Sequence, residues 1–85
     1  MKVKRPTEQE IRQTETWDTW SKEPSEFAWL YDDKETCYIL EGNARVVDKH
    51  GHSIEFGPGD WVEFEQGLEC TWMVTKGIRK KYRFG

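Results

Sequence analysis

Hydrophobic and polar positions alternate along most of the chain after residue 34, with the two-residue period that is typical of β-strands. In the stretch 68–75, for example, Cys70, Trp72 and Val74 fall on one face, which we expect to point inward. The predicted strands span 27–31, 35–41, 44–48, 53–56, 60–65, 68–75 and 78–84. Short strands at such regular spacing favour an all-β sandwich or barrel.

Glycine and proline residues lie between these stretches and predict the turns that connect them. Gly42-Asn43 has the composition of a hairpin turn, with apolar residues on both sides. Turns are also predicted at 49–51, 57–59, 66–67 and 76–77, where glycine allows positive φ. Residues 26–85 are therefore predicted to be a barrel of short strands.

The first 25 residues are predicted to form an N-terminal arm, with a short helical turn and an edge strand, of the same single domain, which spans 1–85. Thr7 and Glu10 have the spacing of a capping box, which predicts one helical turn as far as Gln13. Trp17 and Trp20 lie in a stretch that we expect to be extended, with the indole rings as anchors.

The strand 35–41 carries apolar residues on both faces, with Cys37 and Ile39 on one side and Tyr38 and Leu40 on the other. One face is expected to point into the barrel, together with Glu35. The other is expected to be covered by a second sheet, by the Trp17/Trp20 segment or by a second subunit in a homodimer.

Composition limits the function classes. The chain has 85 residues with five Trp, three Tyr and four Phe, which is enough aromatic surface to build one small core. Its net charge of −3 argues against a nucleic-acid partner. No apolar run is long enough to span a bilayer, and the basic N-terminus leads into no apolar segment of a secretory signal. We therefore expect a cytoplasmic protein with two free thiols, or an organellar one whose targeting segment has been removed.

Three motifs resemble those of the cupin superfamily. Glu35 followed after six residues by Gly42 resembles the second half of the first cupin motif, in which a His-x-His pair precedes a Glu and a Gly. The turn 57–60 resembles the connection between the two cupin motifs, and 64–70 resembles the second motif. The resemblance is strongest to small single-domain cupins of the ureidoglycine aminohydrolase and ethanolamine-utilisation group. It implies a jelly-roll barrel, or double-stranded β-helix.

The chain departs from the family at the metal ligands, which are three His and one Glu. The positions of the histidine pair fall on Ala28 and Leu30, or on Trp29 and Tyr31. The third histidine position is Cys70, so that Glu35 alone is retained. The resemblance therefore implies the fold and a degenerate metal site, but it does not transfer an activity.

Glu35 and the cysteines allow three interpretations. Glu35 with Cys37 and Cys70 could ligate a divalent metal such as zinc at a non-standard site, of which Glu35 and Cys70 occupy family ligand positions. Both cysteines could instead be inert core residues. Glu35 could also act as a catalytic acid or base if its apolar surroundings raised its pKa.

Aromatic residues at the histidine positions suggest a ligand cavity. Trp29 and Tyr31, with Trp72 and Tyr82 nearby, would give aromatic walls beside one carboxylate, which suits a small amphipathic or cationic ligand. Simple filling of a narrow barrel is the alternative.

Two charged clusters are interpreted as surface features. His50 and His52 flank a turn glycine, where solvation is favoured over surface metal capture. The basic run 79–83 is interpreted as a solvated edge strand, with binding of a small anion or an acidic partner as the alternative.

Three functional hypotheses follow. The first is a small-molecule-binding cupin whose cavity is lined by Trp29, Tyr31, Glu35, Cys37, Cys70 and Trp72. The second is an enzyme of the ureidoglycine aminohydrolase type, which acts on a small nitrogenous or carbonyl metabolite through Glu35. The third is a structural or dimerisation module that uses the face of Tyr38 and Leu40.

Overall fold

The computed structural model describes all 85 residues as seven β-strands, one short α-helix and one 3-10 turn. The strands are β1 (Lys2–Lys4), β2 (Asp18–Lys22), β3 (Ser25–Leu30), β4 (Glu35–Asp48), β5 (Ser53–Phe56), β6 (Trp61–Phe64) and β7 (Glu69–Phe84). The helix α1 spans Glu8–Gln13 and leads directly into the 3-10 turn Thr14–Thr16. No helix of the chain is both long and apolar enough to cross a membrane.

The two longest strands, β4 and β7, pair antiparallel along nearly their whole length and organise the sheet. The first half of β4 also pairs with β6, which pairs in turn with β1, whereas its second half pairs with β5. The first half of β7 pairs with β3 and its second half with β2. All pairings are antiparallel, and both halves of β4 and of β7 contribute residues to one core. The prediction of an all-β cupin jelly roll is therefore confirmed.

A bend in both long strands replaces two of the predicted turns. The hairpins predicted at Gly42-Asn43 and Lys76-Gly77 are wrong, because β4 and β7 continue through these positions. The register of the pair shifts between Ile39 and Ala44, as at a β-bulge. Gly42 has a φ of 86°, and a Cβ atom there would overlap the carbonyl oxygen of Gly77. Gly42 is therefore needed where the two strands approach each other.

The N-terminal arm follows the predicted local chemistry. The capping box is confirmed, since the Glu10 amide donates to Thr7 Oγ1 (3.2 Å) and the Thr7 amide donates to Glu10 Oε1 (2.9 Å). Trp17 and Trp20 then point to different sides of the sheet. The Trp17 ring packs against Trp61 on the outer side (5.4 Å between centroids), whereas Trp20 packs against Trp72 in the interior (6.1 Å).

The core lies between the two halves of the folded sheet. Cys70, Trp72 and Val74 point inward as the alternation predicts, and all three are buried. The outer face of β4 is also partly covered, because Trp61 lies opposite Tyr38 in the β4–β6 pair and packs beneath Trp17. The twelve-residue apolar core comprises Tyr31, Cys37, Ile39, Ala44, Val46, Phe56, Val62, Phe64, Cys70, Trp72, Val74 and Ile78.

Candidate functional site

A cavity of about 210 Å³ lies at one end of this core, between β2, β3, β4 and β7. Seven of its nine lining residues are hydrophobic. Trp29 and Phe84 are about half exposed and mark the opening to solvent. The lining consists of Trp20, Phe27, Trp29, Tyr31, Glu35, Trp72, Lys80, Tyr82 and Phe84.

The base of the cavity holds a buried ion pair. Glu35 begins β4, and Lys80 lies on the inner face of β7 between Ile78 and Tyr82. The Lys80 ammonium contacts both carboxylate oxygens, at 3.1 Å from Oε1 and 3.0 Å from Oε2. Only 3% of Glu35 and 4% of Lys80 is exposed, so that neither charge can rely on bulk water.

Tyr31 and Trp72 complete the hydrogen bonding of the carboxylate. The Tyr31 hydroxyl donates to Glu35 Oε1 (2.9 Å) and accepts from Trp72 Nε1 (3.3 Å). Burial raises the pKa of Tyr31, and the negative charge of Glu35 raises it further. The hydroxyl therefore remains a donor over the physiological pH range.

The positive charge of Lys80 is also held by aromatic faces. Its ammonium nitrogen lies 4.6 Å from the ring centroid of Trp72 and 4.8 Å from that of Trp20. Cation–π contacts of this kind are strongest where water is excluded. Lys80 thus occupies the position that a cationic ligand would take beside Glu35 and the indole rings.

Cys37 lies beneath the ion pair and does not line the cavity. Its side chain is fully buried, with Sγ 3.8 Å from Lys80 Nζ. Burial raises the pKa of this thiol; the positive charge of Lys80 opposes the shift and the charge of Glu35 adds to it. Cys37 is therefore a protonated thiol that weakly accepts from the ammonium.

Cys70 lies outside the cavity lining. It borders a separate hollow with Asp48 and Glu69, and its Sγ donates to the backbone oxygen of Trp29 at 3.5 Å. Burial raises the pKa of Cys70 to about 11, so its thiol is protonated near neutral pH. The structure does not place Cys70 beside Glu35 in the cavity.

The donor set does not fit a divalent metal. No three or more His, Cys, Asp or Glu side chains come together in a metal-binding group. Both oxygens of Glu35 accept hydrogen bonds from an ammonium, which already supplies the positive charge at this point. Of the two histidines, His52 contacts Asp48 Oδ2 through Nδ1 (3.2 Å) on the exposed turn.

The interpretation of 79–83 as a solvated edge strand is wrong, because β7 pairs with β4 on one side and with β2 and β3 on the other, and because Lys80 is buried. Arg79 does lie on the outside, where it pairs with Glu41 at 2.8 Å, but Lys80 points inward. Alternation along β7 carried this signal, because it places Lys80 on the same face as Ile78 and Tyr82. The cavity is also lined by three residues that no sequence motif indicated, namely Trp20, Phe27 and Phe84.

Comparison with solved structures supports the fold. A DUF861 family protein from Thermotoga maritima is 42% identical, with a TM-score of 0.95 over 99% of this chain and 98% of that protein. EutQ from Clostridium difficile is 17% identical, with a TM-score of 0.72 over 78% of this chain. This chain covers 52% of that larger protein, and the likeness to it shows the fold alone.

A third structure, that of a DUF861 family protein from Pseudomonas syringae pv. tomato, is 28% identical over 79% of this chain and 29% of its own, with a TM-score of 0.71. No curated protein matched the sequence. The family profile of the EutQ-like cupin domain matches residues 10–82, which include most of the N-terminal helix, Glu35 and Lys80. This chain therefore belongs to the EutQ-like cupin domain family.

Proposed function

We propose that this protein binds a small organic molecule in the aromatic cavity, with the Glu35–Lys80 pair as its polar anchor. The observation that carries the proposal is the position of the pair. Both residues line the cavity, although only 3% of Glu35 and 4% of Lys80 is exposed.

Energetics supports this interpretation. A buried ion pair seldom stabilises a fold more than apolar residues of similar size would, because removing both charges from water is costly. Apolar side chains at positions 35 and 80 would fill the space without that cost. Retaining both charges beside an apolar cavity is better explained by recognition of a polar group than by stability.

The cavity is large enough for a compact ligand. An engineered apolar cavity of about 150 Å³ is known to admit benzene. The present cavity, at about 210 Å³, can therefore take a single ring with one substituent. Its aromatic walls favour a flat molecule, since offset and edge-to-face ring contacts contribute beyond area burial.

Catalysis by Glu35 is the second candidate, and the Tyr31–Glu35–Lys80 arrangement favours it. A carboxylate between a hydroxyl donor and an ammonium is placed to exchange a proton with a bound substrate. The substrate of such an enzyme would be a small nitrogenous or carbonyl metabolite, as for cupins of the ureidoglycine aminohydrolase type. Turnover that survives Glu35→Gln would exclude this role.

Thermal shift against a panel of small metabolites tests the binding function. A true ligand at 100 times its Kd should add about 2.7 kcal/mol to the free energy of unfolding and raise Tm accordingly. Failure of every compact, ring-containing metabolite to raise Tm would contradict the proposal.

Two adjacent residues of β3 provide a matched control. Trp29 lines the cavity mouth, whereas Leu30 is 54% exposed and is not among the lining residues. Trp29→Ala should abolish most of the ligand-induced rise in Tm, and Leu30→Ala should retain it. Equal losses in both variants would indicate binding elsewhere.

A further inference from the structure

We infer that the ligand is an uncharged, flat molecule with a hydrogen-bond donor beside an acceptor, such as a carboxamide or a lactam. This inference rests on the proposed binding function and specifies its ligand class. It departs from the cationic ligand that aromatic walls and a lone carboxylate suggest, because the structure adds Lys80 to the same wall.

Charge balance is the first argument. Glu35 and Lys80 are the charged residues of the cavity lining, and at 3.0 Å they neutralise each other. A cationic ligand would have to compete with Lys80 for the carboxylate and for the indole faces. An anionic ligand would have to compete with Glu35 for the ammonium. Either one would also lose its hydration on entering an apolar site, which is costly without an unpaired opposite charge.

The hydrogen-bond inventory is the second argument. Glu35 Oε1 accepts from both Tyr31 and Lys80, but Oε2 accepts from Lys80 only and keeps acceptor capacity. An ammonium has three N–H donors, and beyond the carboxylate Lys80 contacts the Cys37 sulfur at 3.8 Å and two indole faces, which are weaker partners than a carbonyl oxygen. Glu35 thus keeps spare acceptor capacity beside an ammonium whose third N–H can turn from the sulfur toward a stronger acceptor. A ligand N–H adjacent to a carbonyl oxygen complements both.

The shape of the walls is the third argument. The rings of Phe27 and Trp72 are nearly parallel, with 11° between their planes and 6.0 Å between their centroids. Trp20 meets Trp72 edge-on, at 68°. Flat amide groups and aromatic rings pack well against such surfaces, whereas bulky tetrahedral groups do not.

Four single-ring probes of similar size separate the ligand classes by isothermal titration at pH 7. These probes are benzamide, which is neutral with a donor and an acceptor, benzoate, which is an anion, benzylamine, which is a cation, and toluene, which is apolar. We expect benzamide to bind at least about tenfold more tightly than either charged probe and more tightly than toluene.

The outcomes distinguish this inference from the function on which it rests. If benzoate, benzylamine or toluene binds as tightly as benzamide, the ligand class is wrong although the cavity still binds small molecules. If none of the four probes binds, the proposed binding function fails as well.

Charge variants provide an independent readout of the same argument. Glu35→Gln leaves Lys80 without its counterion and should make benzoate the preferred probe. Lys80→Met leaves Glu35 unpaired and should make benzylamine the preferred probe. The outer-face variants Glu41→Gln and Arg79→Met should leave the order of the four probes unchanged. An unchanged order in the two cavity variants, once their folding is verified by circular dichroism, would overturn the inference. If a cavity variant does not fold, the wild-type panel still decides.

Discussion

Two ion pairs on the same two strands experience opposite environments. Glu35–Lys80 and Glu41–Arg79 each join β4 to β7, with nearest contacts of 3.0 Å and 2.8 Å. Lys80 and Arg79 are consecutive, so alternation sends one side chain into the cavity and the other into solvent. The distance between the charges therefore does not by itself set the contribution of an ion pair to stability. The inner pair lies in an apolar cavity, whereas the outer pair is screened by water.

Removing the cation should destabilise the protein far more at the inner pair than at the outer pair. Lys80→Met leaves a buried carboxylate without its counterion and should cost about 3–5 kcal/mol in the free energy of unfolding. Arg79→Met removes an exposed partner and should cost less than about 1 kcal/mol. Urea unfolding of both variants measures the difference, and equal costs would refute the contrast between inner and outer faces.

The double variant Glu35→Gln/Lys80→Met separates the cost of an unpaired charge from the cost of lost packing. It removes both charges together, so it should be more stable than Lys80→Met alone. A double variant that is less stable than the single one would show that the cost arises from packing and not from an unpaired charge.

The close strand contact at Gly42, which follows Glu41 on β4, gives the next largest effect. Gly42→Ala would place a methyl group against the backbone of Gly77 at a positive φ, and should cost about 2–4 kcal/mol. Gly51 is the matched control, since its φ of 85° is almost the same but a Cβ atom there would have no neighbour within 4 Å. Gly51→Ala should therefore cost only about 1 kcal/mol. Similar losses of Tm in the two variants would argue against close strand contact at Gly42.

Alkaline pH should destabilise the fold through three buried neutral groups, of which Tyr31 and Cys37 contact the inner ion pair. Burial raises the pKa of Tyr31 and of Cys37, and that of Cys70 to about 11, so the unfolded chain releases these protons first. Between about pH 7 and the unfolded cysteine pKa of about 8.5, the contribution of these three groups to stability should be constant, and it should fall as the pH rises further, by at most about 1.4 kcal/mol per pH unit for each group.

Urea unfolding between about pH 7 and pH 10.5 measures this slope, because the window spans the unfolded cysteine pKa. Cys37→Ala should reduce the slope by removing one of the titrating groups. A stability that stays flat across the window would contradict the deep burial of these side chains.

Salt should produce the smallest effect and should act on one pair only. In a double-mutant cycle, the coupling of Glu41 to Arg79 should be about 0.5 kcal/mol and should approach zero in about 1 M salt, where the screening length is about 3 Å. The coupling of Glu35 to Lys80 should persist because salt does not enter the cavity base. Equal salt sensitivity would show that the inner pair is open to solvent.

Much of the fold could be predicted from the sequence, because strand alternation and turn glycines are local signals. The bend at Gly42 could not, since a glycine with positive φ suits both a hairpin turn and a bulge in a continuous strand. What distinguishes the two is the approach of Gly77, which is 35 positions away along the chain. The residues around Gly42 in the sequence do not indicate a contact with a residue so far along the chain.

The sequence predicted those cavity residues that lie at or near the family motif positions. Glu35, Trp29 and Tyr31 follow from the cupin spacing and Trp72 from strand alternation, and all four line the cavity. Lys80 was hidden in a basic run that is typical of a solvated strand, and the Glu35 contact that explains it lies 45 residues away. Whether these residues bind a ligand is the prediction that remains for experiment.

The most direct test follows the two cations by nuclear magnetic resonance during a titration with benzamide. The Lys80 Nζ signal should be protected from exchange and should shift saturably with benzamide, whereas the Arg79 Nε signal should not move. A rapidly exchanging Lys80 ammonium that is insensitive to benzamide would contradict a cavity anchored by the buried ion pair.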